Sequence, residues 1–112
     1  MEEKIESFYN YLVEKKCKDI ALYDLRNDAE KTALIFVVTI ANTSLNKKFA
    51  ASIIEQAGEE LEVEGYNKGE WIILDFGDIV LHSFIPSSRE KYNLDKLWKT
   101  KKIQIKKQNK NK

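Results

Sequence analysis

The sequence is poor in the residues that build metal and disulfide sites. Its 112 residues include one cysteine, Cys17, and one histidine, His82. A single cysteine forms no internal disulfide, and a zinc site draws on several Cys and His side chains at characteristic spacing. These scarcities predict a chain with no structural disulfide and no metal site.

Sequence patterns for phosphate binding and for nucleophilic catalysis are also missing. The four glycines, at positions 58, 65, 69 and 77, are scattered, and no Lys-Ser or Lys-Thr pair follows one at the spacing of a phosphate-binding loop. The chain has no nucleophile elbow and no second histidine to support a reactive cysteine. We therefore expect no catalytic residue, no cofactor and no small-molecule substrate.

Long apolar runs are absent as well. No stretch approaches the roughly 18 uninterrupted apolar residues that a membrane-spanning helix needs. The first residues, Met-Glu-Glu-Lys, lack the basic start and apolar centre of a signal peptide. With 43% apolar residues, the length suits one domain around one core. These features predict a small cytoplasmic domain that does not interact with membranes.

Charge is distributed unevenly along the chain. All seven charged residues after Trp98 are lysines, which leaves 12 basic against 18 acidic residues in positions 1–98. The last twelve residues have too little apolar content to hold a fold. We predict an acidic domain over residues 1–100 and a basic, disordered tail over residues 101–112. Such a tail either contacts nucleic-acid phosphates or only solubilises the protein.

The first half of the chain alternates helical and strand-like periodicity. Apolar residues at helical spacing predict a helix over residues 3–15, and a half-buried strand follows over 19–25. Residues 32–41 are dense in β-branched and aromatic side chains, which is typical of a central strand buried on both faces. The side chains of Asn42-Thr43-Ser44 suit the start of a second helix, which continues to about residue 61.

The stretch WIILDFGDIVLH, residues 71–82, permits two interpretations. Asp75, Asp78 and His82 are residue types that hold a metal or move a proton. The same stretch also predicts two strands, 71–74 and 79–85, joined by a type I turn in which Gly77 takes the left-handed bulge position. Aspartates are common in such turns because they bond neighbouring backbone N–H groups, so we favour the hairpin.

The residues after the hairpin predict a binding surface. Pro86 ends the second strand, and Ser87 or Ser88 is positioned to cap a helix over residues 89–98. Tyr92 and Leu97, with Trp98 at the helix end, add large apolar groups that a core of this size cannot enclose entirely. We therefore expect part of this segment to contact a partner.

A specific resemblance accompanies these patterns. The chain reads G-x-W-I-I-L-D-F-G-D-I-V-L-H-S-F from Gly69 and S-R-E-K-Y-N-L-D-K-L-W from Ser88 to Trp98. This closely resembles the ribosomal silencing factor family, also called Iojap-like. The resemblance spans residues 1–98 and implies an α/β domain with a mixed β-sheet flanked by helices, nucleotidyltransferase-like in outline but without enzymatic activity.

The resemblance also implies a function. Family members bind the large ribosomal subunit through its fourteenth protein, at the intersubunit face, and sterically block association with the small subunit. We expect a translation repressor of this kind; the alternatives are a metal-dependent nucleotidyl transferase and a generic protein-interaction module. The candidate partner-binding residues are Trp71, Asp75, Asp78, His82, Arg89, Tyr92, Leu97 and Trp98. The candidate contacts to ribosomal RNA are Lys101, Lys102, Lys106 and Lys107.

Overall fold

A computed structural model describes residues 2–28 and 33–105 of the chain. Within these residues the helices are α1 (Glu2–Glu14), α2 (Thr43–Ala57), α3 (Pro86–Tyr92) and α4 (Leu94–Leu97). The strands are β1 (Lys18–Asp24), β2 (Leu34–Thr39), β3 (Glu62–Glu64), β4 (Trp71–Asp75), β5 (Ile79–Phe84) and β6 (Lys102–Ile103). Short 3-10 turns cover Gly58–Glu60 and Lys99–Lys101. None of the described helices is long and apolar enough to cross a membrane.

The six strands form one mixed sheet in the order β3-β4-β5-β2-β1-β6. The neighbours β2 and β5 run parallel, and the other pairs are antiparallel. The predicted α/β class and mixed sheet are therefore confirmed. Every residue of β2 is buried, because this strand lies in the middle of the sheet and has both faces covered.

One face of the sheet packs against the two long helices. The predicted stripe of α1 is confirmed, since Leu12 is fully buried and Ile5, Phe8 and Tyr9 pack against the same core. The Phe8 ring stacks on Phe36 of β2 with 5.0 Å between ring centroids. This apolar layer gives the domain its main core, and we call this side of the sheet the helix-covered face.

The start of α2 forms as the sequence indicates. Asn42 is the N-cap, and its side chain accepts a hydrogen bond of 2.9 Å from the backbone N–H of Leu45. Leu45 itself is largely exposed, so the predicted apolar stripe begins later along the helix. The buried polar residue Asn46 takes a structural role instead: its amide donates to the carbonyls of Gly69 and Ser83. These bonds fix α2 against β5 and the loop before β4.

The hairpin interpretation of residues 71–82 is confirmed. Strands β4 and β5 pair antiparallel, and the Phe76 N–H donates to the carbonyl of Ile79 across the turn. Gly77 has a φ of 96°, which favours glycine, and its N–H donates to the Asp75 carboxylate over 2.8 Å. Asp75 therefore stabilises the turn as an aspartate in this position commonly does.

The helix predicted over residues 89–98 differs in the structure. It begins at Pro86 with Ile85 as N-cap, and no side chain caps it, so the predicted serine cap is wrong. Proline suits the first helical position because its missing N–H would have no partner there. Asn93 adopts a left-handed conformation and divides the segment into the two short helices α3 and α4.

The last strand lies beyond the predicted boundary at residue 100. Lys102 and Ile103 pair with Tyr23 and Leu22 of β1, within the segment predicted as the tail. The side chains of Ile103 and Ile105 pack against the core of the helix-covered face. Ile103 and Ile105 alternate with the polar residues Lys102 and Gln104, which gives this segment one apolar side that low average hydropathy conceals. The rest of the predicted tail, residues 106–112, lies outside the described residues.

Candidate partner-binding surface

The second face of the sheet is covered only by α3 and α4. Cross-strand pairing places Trp71 opposite Phe84, and Ile73 opposite His82, on this face. Tyr23 of β1 lies on the same face, two strands away from β5. Because α3 and α4 have seven and four residues, they leave part of this face open. We call it the open face.

A cluster of rings occupies one end of the open face. The Trp71 ring lies 4.6 Å from Tyr92 and 4.9 Å from Phe84, measured between centroids. His82 lies 5.8 Å from Trp98 with the rings nearly perpendicular. These separations fall within the range at which aromatic rings attract one another. We call Trp71, His82, Phe84, Tyr92 and Trp98 the aromatic surface, although two of its rings, His82 and Phe84, are themselves buried.

A hydrogen bond joins the side chains of Trp71 and His82. The indole Nε1–H of Trp71 donates to Nδ1 of His82 over 2.9 Å. Since an indole nitrogen only donates, Nδ1 must be an acceptor, and the neutral imidazole then carries its proton on Nε2. This bond fixes both rings and lets the indole lie at the surface without an unpaired donor.

Two large uncharged side chains of the segment after β5 remain exposed. Tyr92, one of the rings, is 47% exposed, and Leu97 is 69% exposed. Trp71 and Trp98 are half-buried. Exposed apolar groups that adjoin one another on a small domain are typical of partner-binding surfaces.

The loop between β3 and β4 passes close to the backbone of Trp71. A side chain at position 65 would overlap the carbonyl oxygen of Trp71, and Gly65 has a φ of 81°. Both facts require glycine here, because the loop must pass directly against the Trp71 backbone. Gly65 thereby lets β3 end close to the aromatic surface.

Comparison with known proteins now identifies the family. The model of the family described as "Ribosomal silencing factor during starvation" matches residues 1–112. The chain belongs to the ribosomal silencing factor family. Its role is therefore one of regulating translation in association with the ribosome.

Individual members of the family and one related protein show the extent of the similarity. The ribosomal silencing factor of Bacillus subtilis is 31% identical over 90 residues, covering 76% of this chain and 75% of that protein. A crystal structure of a protein from Chromobacterium violaceum matches with a TM-score of 0.71 and 29% identity, over 81% of this chain and 79% of that one. A mouse protein, "Mitochondrial assembly of ribosomal large subunit protein 1", is 42% identical over 38 residues, which are 34% of this chain and 17% of that protein.

The structure divides the predicted partner-binding residues of this silencing factor into two groups. Trp71, His82, Tyr92 and Trp98 come together in the aromatic surface, and Leu97 precedes Trp98 at the end of α4. Asp75 lies at the other end of β4, roughly 13 Å away at about 3.3 Å per strand residue. Asp78 points to α1, where it pairs with Lys4 over 2.7 Å.

The two turn carboxylates do not share a ligand site. Asp75 bonds the backbone of its own turn, and the ammonium group of Lys4 beside Asp78 lowers the pKa of that carboxyl. Among residues 2–28 and 33–105, no group of three or more His, Cys, Asp and Glu side chains is arranged to hold a metal ion. This arrangement supplies no pair of carboxylates for two-metal chemistry at the turn.

Arg89 on α3 is bonded to residues of α4 and of the sheet. Its guanidinium binds the Asp95 carboxylate through Nε at 3.0 Å and Nη2 at 2.8 Å, and the Tyr23 hydroxyl donates to the same carboxylate over 2.6 Å. The hydrogen bonds from Arg89 are the main cause of a lowered pKa at Asp95. Burial, with the Asp95 bond adding to it, raises the pKa of Tyr23. At neutral pH the site therefore holds a carboxylate and a neutral phenol.

Sequence reasoning missed three members of this region. Phe84 lies two positions after His82 on β5, so strand alternation from Val80 could have placed it on the same face. Asp95 and Tyr23 carry no local signal, because their contact joins residues 72 positions apart. Of the candidate RNA contacts, Lys101 and Lys102 are exposed at the β6 edge, while Lys106 and Lys107 lie outside the described residues.

Proposed function

We propose that this protein represses translation by binding the large ribosomal subunit through its aromatic surface and sterically blocking the small subunit. The observation that carries the proposal is the exposure of Tyr92 and Leu97 beside the ring cluster of Trp71 and Trp98. Family membership supports an association with the ribosome, and the name of the mouse relative mentions the large subunit.

Aromatic side chains suit the centre of such an interface. Tyrosine and tryptophan bury large areas while losing few rotatable bonds, and they dominate the binding energy of many protein interfaces. Trp71 is held by His82 and by its neighbouring rings before any partner arrives. A surface ordered in advance loses little entropy on binding.

The charges around the aromatic surface fit a partner made of protein and RNA. One row of cross-strand neighbours runs through all six strands from Glu62 to Lys102 on the open face. At about 4.8 Å per strand, these two exposed charges lie roughly 24 Å apart. Glu62, Glu64 and Asp75 make the β3–β4 side acidic, whereas Lys101 and Lys102 make the β6 side basic.

We assign the acidic side to a basic ribosomal protein, the fourteenth of the large subunit at the intersubunit face, as the family resemblance implies. The basic side then approaches ribosomal RNA phosphates, which lysine binds as a point charge. The protein acts by occupying space rather than by chemistry, so inhibition is stoichiometric and needs no cofactor. A ribosomal partner also makes the cytoplasm its site of action.

Mixing purified large and small subunits with increasing amounts of the protein tests the proposal. We expect the joined fraction, separated on a density gradient, to fall as the protein approaches one equivalent per large subunit. The protein should sediment with free large subunits and be absent from joined ribosomes. An unchanged joined fraction at saturating protein would contradict the steric mechanism.

The test discriminates further when the order of addition is changed. A steric block requires the protein to reach the large subunit first, so adding it to ribosomes that are already joined should have a much slower effect. Equal rates in both orders would indicate active splitting of ribosomes, which the proposal does not include.

A further inference from the structure

A hydrogen-bonded cluster beneath the aromatic surface joins three elements of the fold. The Asp95 carboxylate on α4 accepts from the Tyr23 hydroxyl on β1 and from two guanidinium nitrogens of Arg89 on α3. Its two oxygens thus receive three hydrogen bonds between 2.6 and 3.0 Å. Bonds to a charged group are roughly twice as strong as bonds between neutral groups.

The remaining guanidinium nitrogen of Arg89 is also bonded inside the protein. Nη1 donates to the carbonyl oxygen of Asp19 and, over 3.0 Å, to the hydroxyl of Thr39 on β2. The Arg89 side chain is only 14% exposed. All three nitrogens therefore have partners within this chain, and little of the group is presented to solvent.

The segment that this cluster holds consists of two short helices. The helices α3 and α4 are seven and four residues long, and isolated helices of this length are unstable in water. The turn between them relies on Asn93, whose side chain accepts from the backbone N–H of Lys96. This segment nevertheless carries Tyr92 and Leu97 and leads into Trp98, whose ring lies 5.9 Å from Tyr23.

We propose that Tyr23, Arg89 and Asp95 are positioning residues, which lock α3 and α4 onto the sheet so that Tyr92 and Trp98 have the orientation that the partner binds. The inference rests on the proposed function, and it gives Arg89 a role inside the protein in place of a direct partner contact. The lowered pKa of Asp95 keeps the carboxylate charged at neutral pH, and thereby maintains its pairing with Arg89.

The Asp95→Asn substitution tests this role with little change in volume. It removes the charge and, in either orientation of the amide, places an N–H against an N–H of Arg89, which bonds both carboxylate oxygens and has no acceptor. We expect large-subunit binding to weaken about tenfold, equivalent to losing one charged hydrogen bond. Tyr23→Phe removes only the hydroxyl and should weaken binding by a smaller factor, and the two losses should not be additive because both residues act through one carboxylate.

Asp24→Asn is a matched control. Asp24 binds Arg26 through two hydrogen bonds of 2.8 and 2.9 Å, so this substitution also disrupts a carboxylate–guanidinium pair. Asp24 follows Tyr23 on β1, and its side chain therefore points to the other face of the sheet. This variant should bind large subunits like the wild type.

A spectroscopic readout separates positioning from general destabilisation. The chain has two tryptophans, so its ¹H–¹⁵N spectrum contains two indole peaks, which Trp71→Phe assigns. Asp95→Asn should move the Trp98 peak, and Asp24→Asn should leave both indole peaks in place. Full-affinity binding by folded Asp95→Asn, or equal losses in Asp95→Asn and Asp24→Asn, would overturn the inference.

The remaining outcomes also discriminate. If Asp95→Asn does not fold, Tyr23→Phe decides the question through the same two measurements, and wild-type binding with an unmoved Trp98 peak would refute positioning. If the wild-type protein does not bind large subunits, the proposed function fails. In that case the Trp98 peak alone tests the locking of α4, and an unmoved peak in both variants would overturn it.

Discussion

Two truncations distinguish the structural role of β6 from the electrostatic role of the lysines near the end of the chain. One ends the chain after Thr100 and removes β6; the other ends it after Ile105 and keeps that strand. Because Ile103 and Ile105 pack against the core of the helix-covered face, only the first truncation should expose apolar surface. We therefore expect the first truncation to lower the free energy of unfolding and the second to leave it nearly unchanged.

The size of the effect follows from the burial of these isoleucines. Full burial of an isoleucine side chain contributes roughly 1.5–3 kcal/mol, so two half-buried side chains contribute about 1.5–3 kcal/mol together. For a domain of about 100 residues, each kcal/mol shifts the melting temperature by roughly 4–8 °C. The protein ending at Thr100 should therefore melt about 6–24 °C below the full chain.

Thermal unfolding followed by circular dichroism measures the difference. Ile103→Ser in the full chain is the matched control, because it removes packing while it keeps every lysine. It should lower the melting temperature by a substantial part of the same amount. Equal melting temperatures for the two truncated proteins would refute the argument that β6 belongs to the domain.

Three further predictions concern the open face and its edges. Tyr92→Ala should weaken large-subunit binding by about 2 kcal/mol or more with little change in melting temperature, since the side chain is nearly half exposed; sedimentation together with thermal melts measures both. Nucleotide turnover should be absent from the wild type and unchanged in Asp75→Asn and Asp78→Asn; metal-dependent nucleotide incorporation by the wild type that either variant abolishes would restore the transferase alternative. Lys101→Gln combined with Lys102→Gln should flatten the log–log salt dependence of binding by about 1.5 at fixed magnesium, provided that both lysines neutralise phosphates; parallel slopes would show that neither does.

The elements with strong periodicity could be predicted from the sequence. Helices α1 and α2, strands β1 and β2 and the hairpin β4–β5 all have local signals: apolar spacing, an N-cap or a turn glycine. Strands β3 and β6 have three and two residues, and their own sequences are largely charged. They are strands because β4 and β1 offer them a pairing edge, which is a tertiary effect that local pattern does not contain.

The candidate site shows the same division between local and tertiary information. The aromatic residues were predictable because large apolar groups exceeded what the core could enclose. The internal role of Arg89 was not, because it depends on Asp19, Thr39 and Asp95 meeting at one point from three parts of the chain. The family resemblance made Arg89 a candidate contact residue, whereas its hydrogen bonds direct it inward.

The most enzyme-like stretch of the chain is explained by the geometry of an antiparallel hairpin. Pairing of Trp71 with Phe84 and of Asp75 with Val80 places the aromatic and acidic ends of β4 and β5 apart, although they are adjacent in sequence. Asp75 accepts a hydrogen bond from the backbone of the turn, and Asp78 pairs with a lysine of α1. Nδ1 of His82 accepts from Trp71. Each of these polar groups thus has a partner within the fold, while Trp71 at the other end of β4 belongs to a partly exposed cluster of rings. Such a cluster is suited to recognition, because rings fixed before binding lose little entropy when a partner covers them.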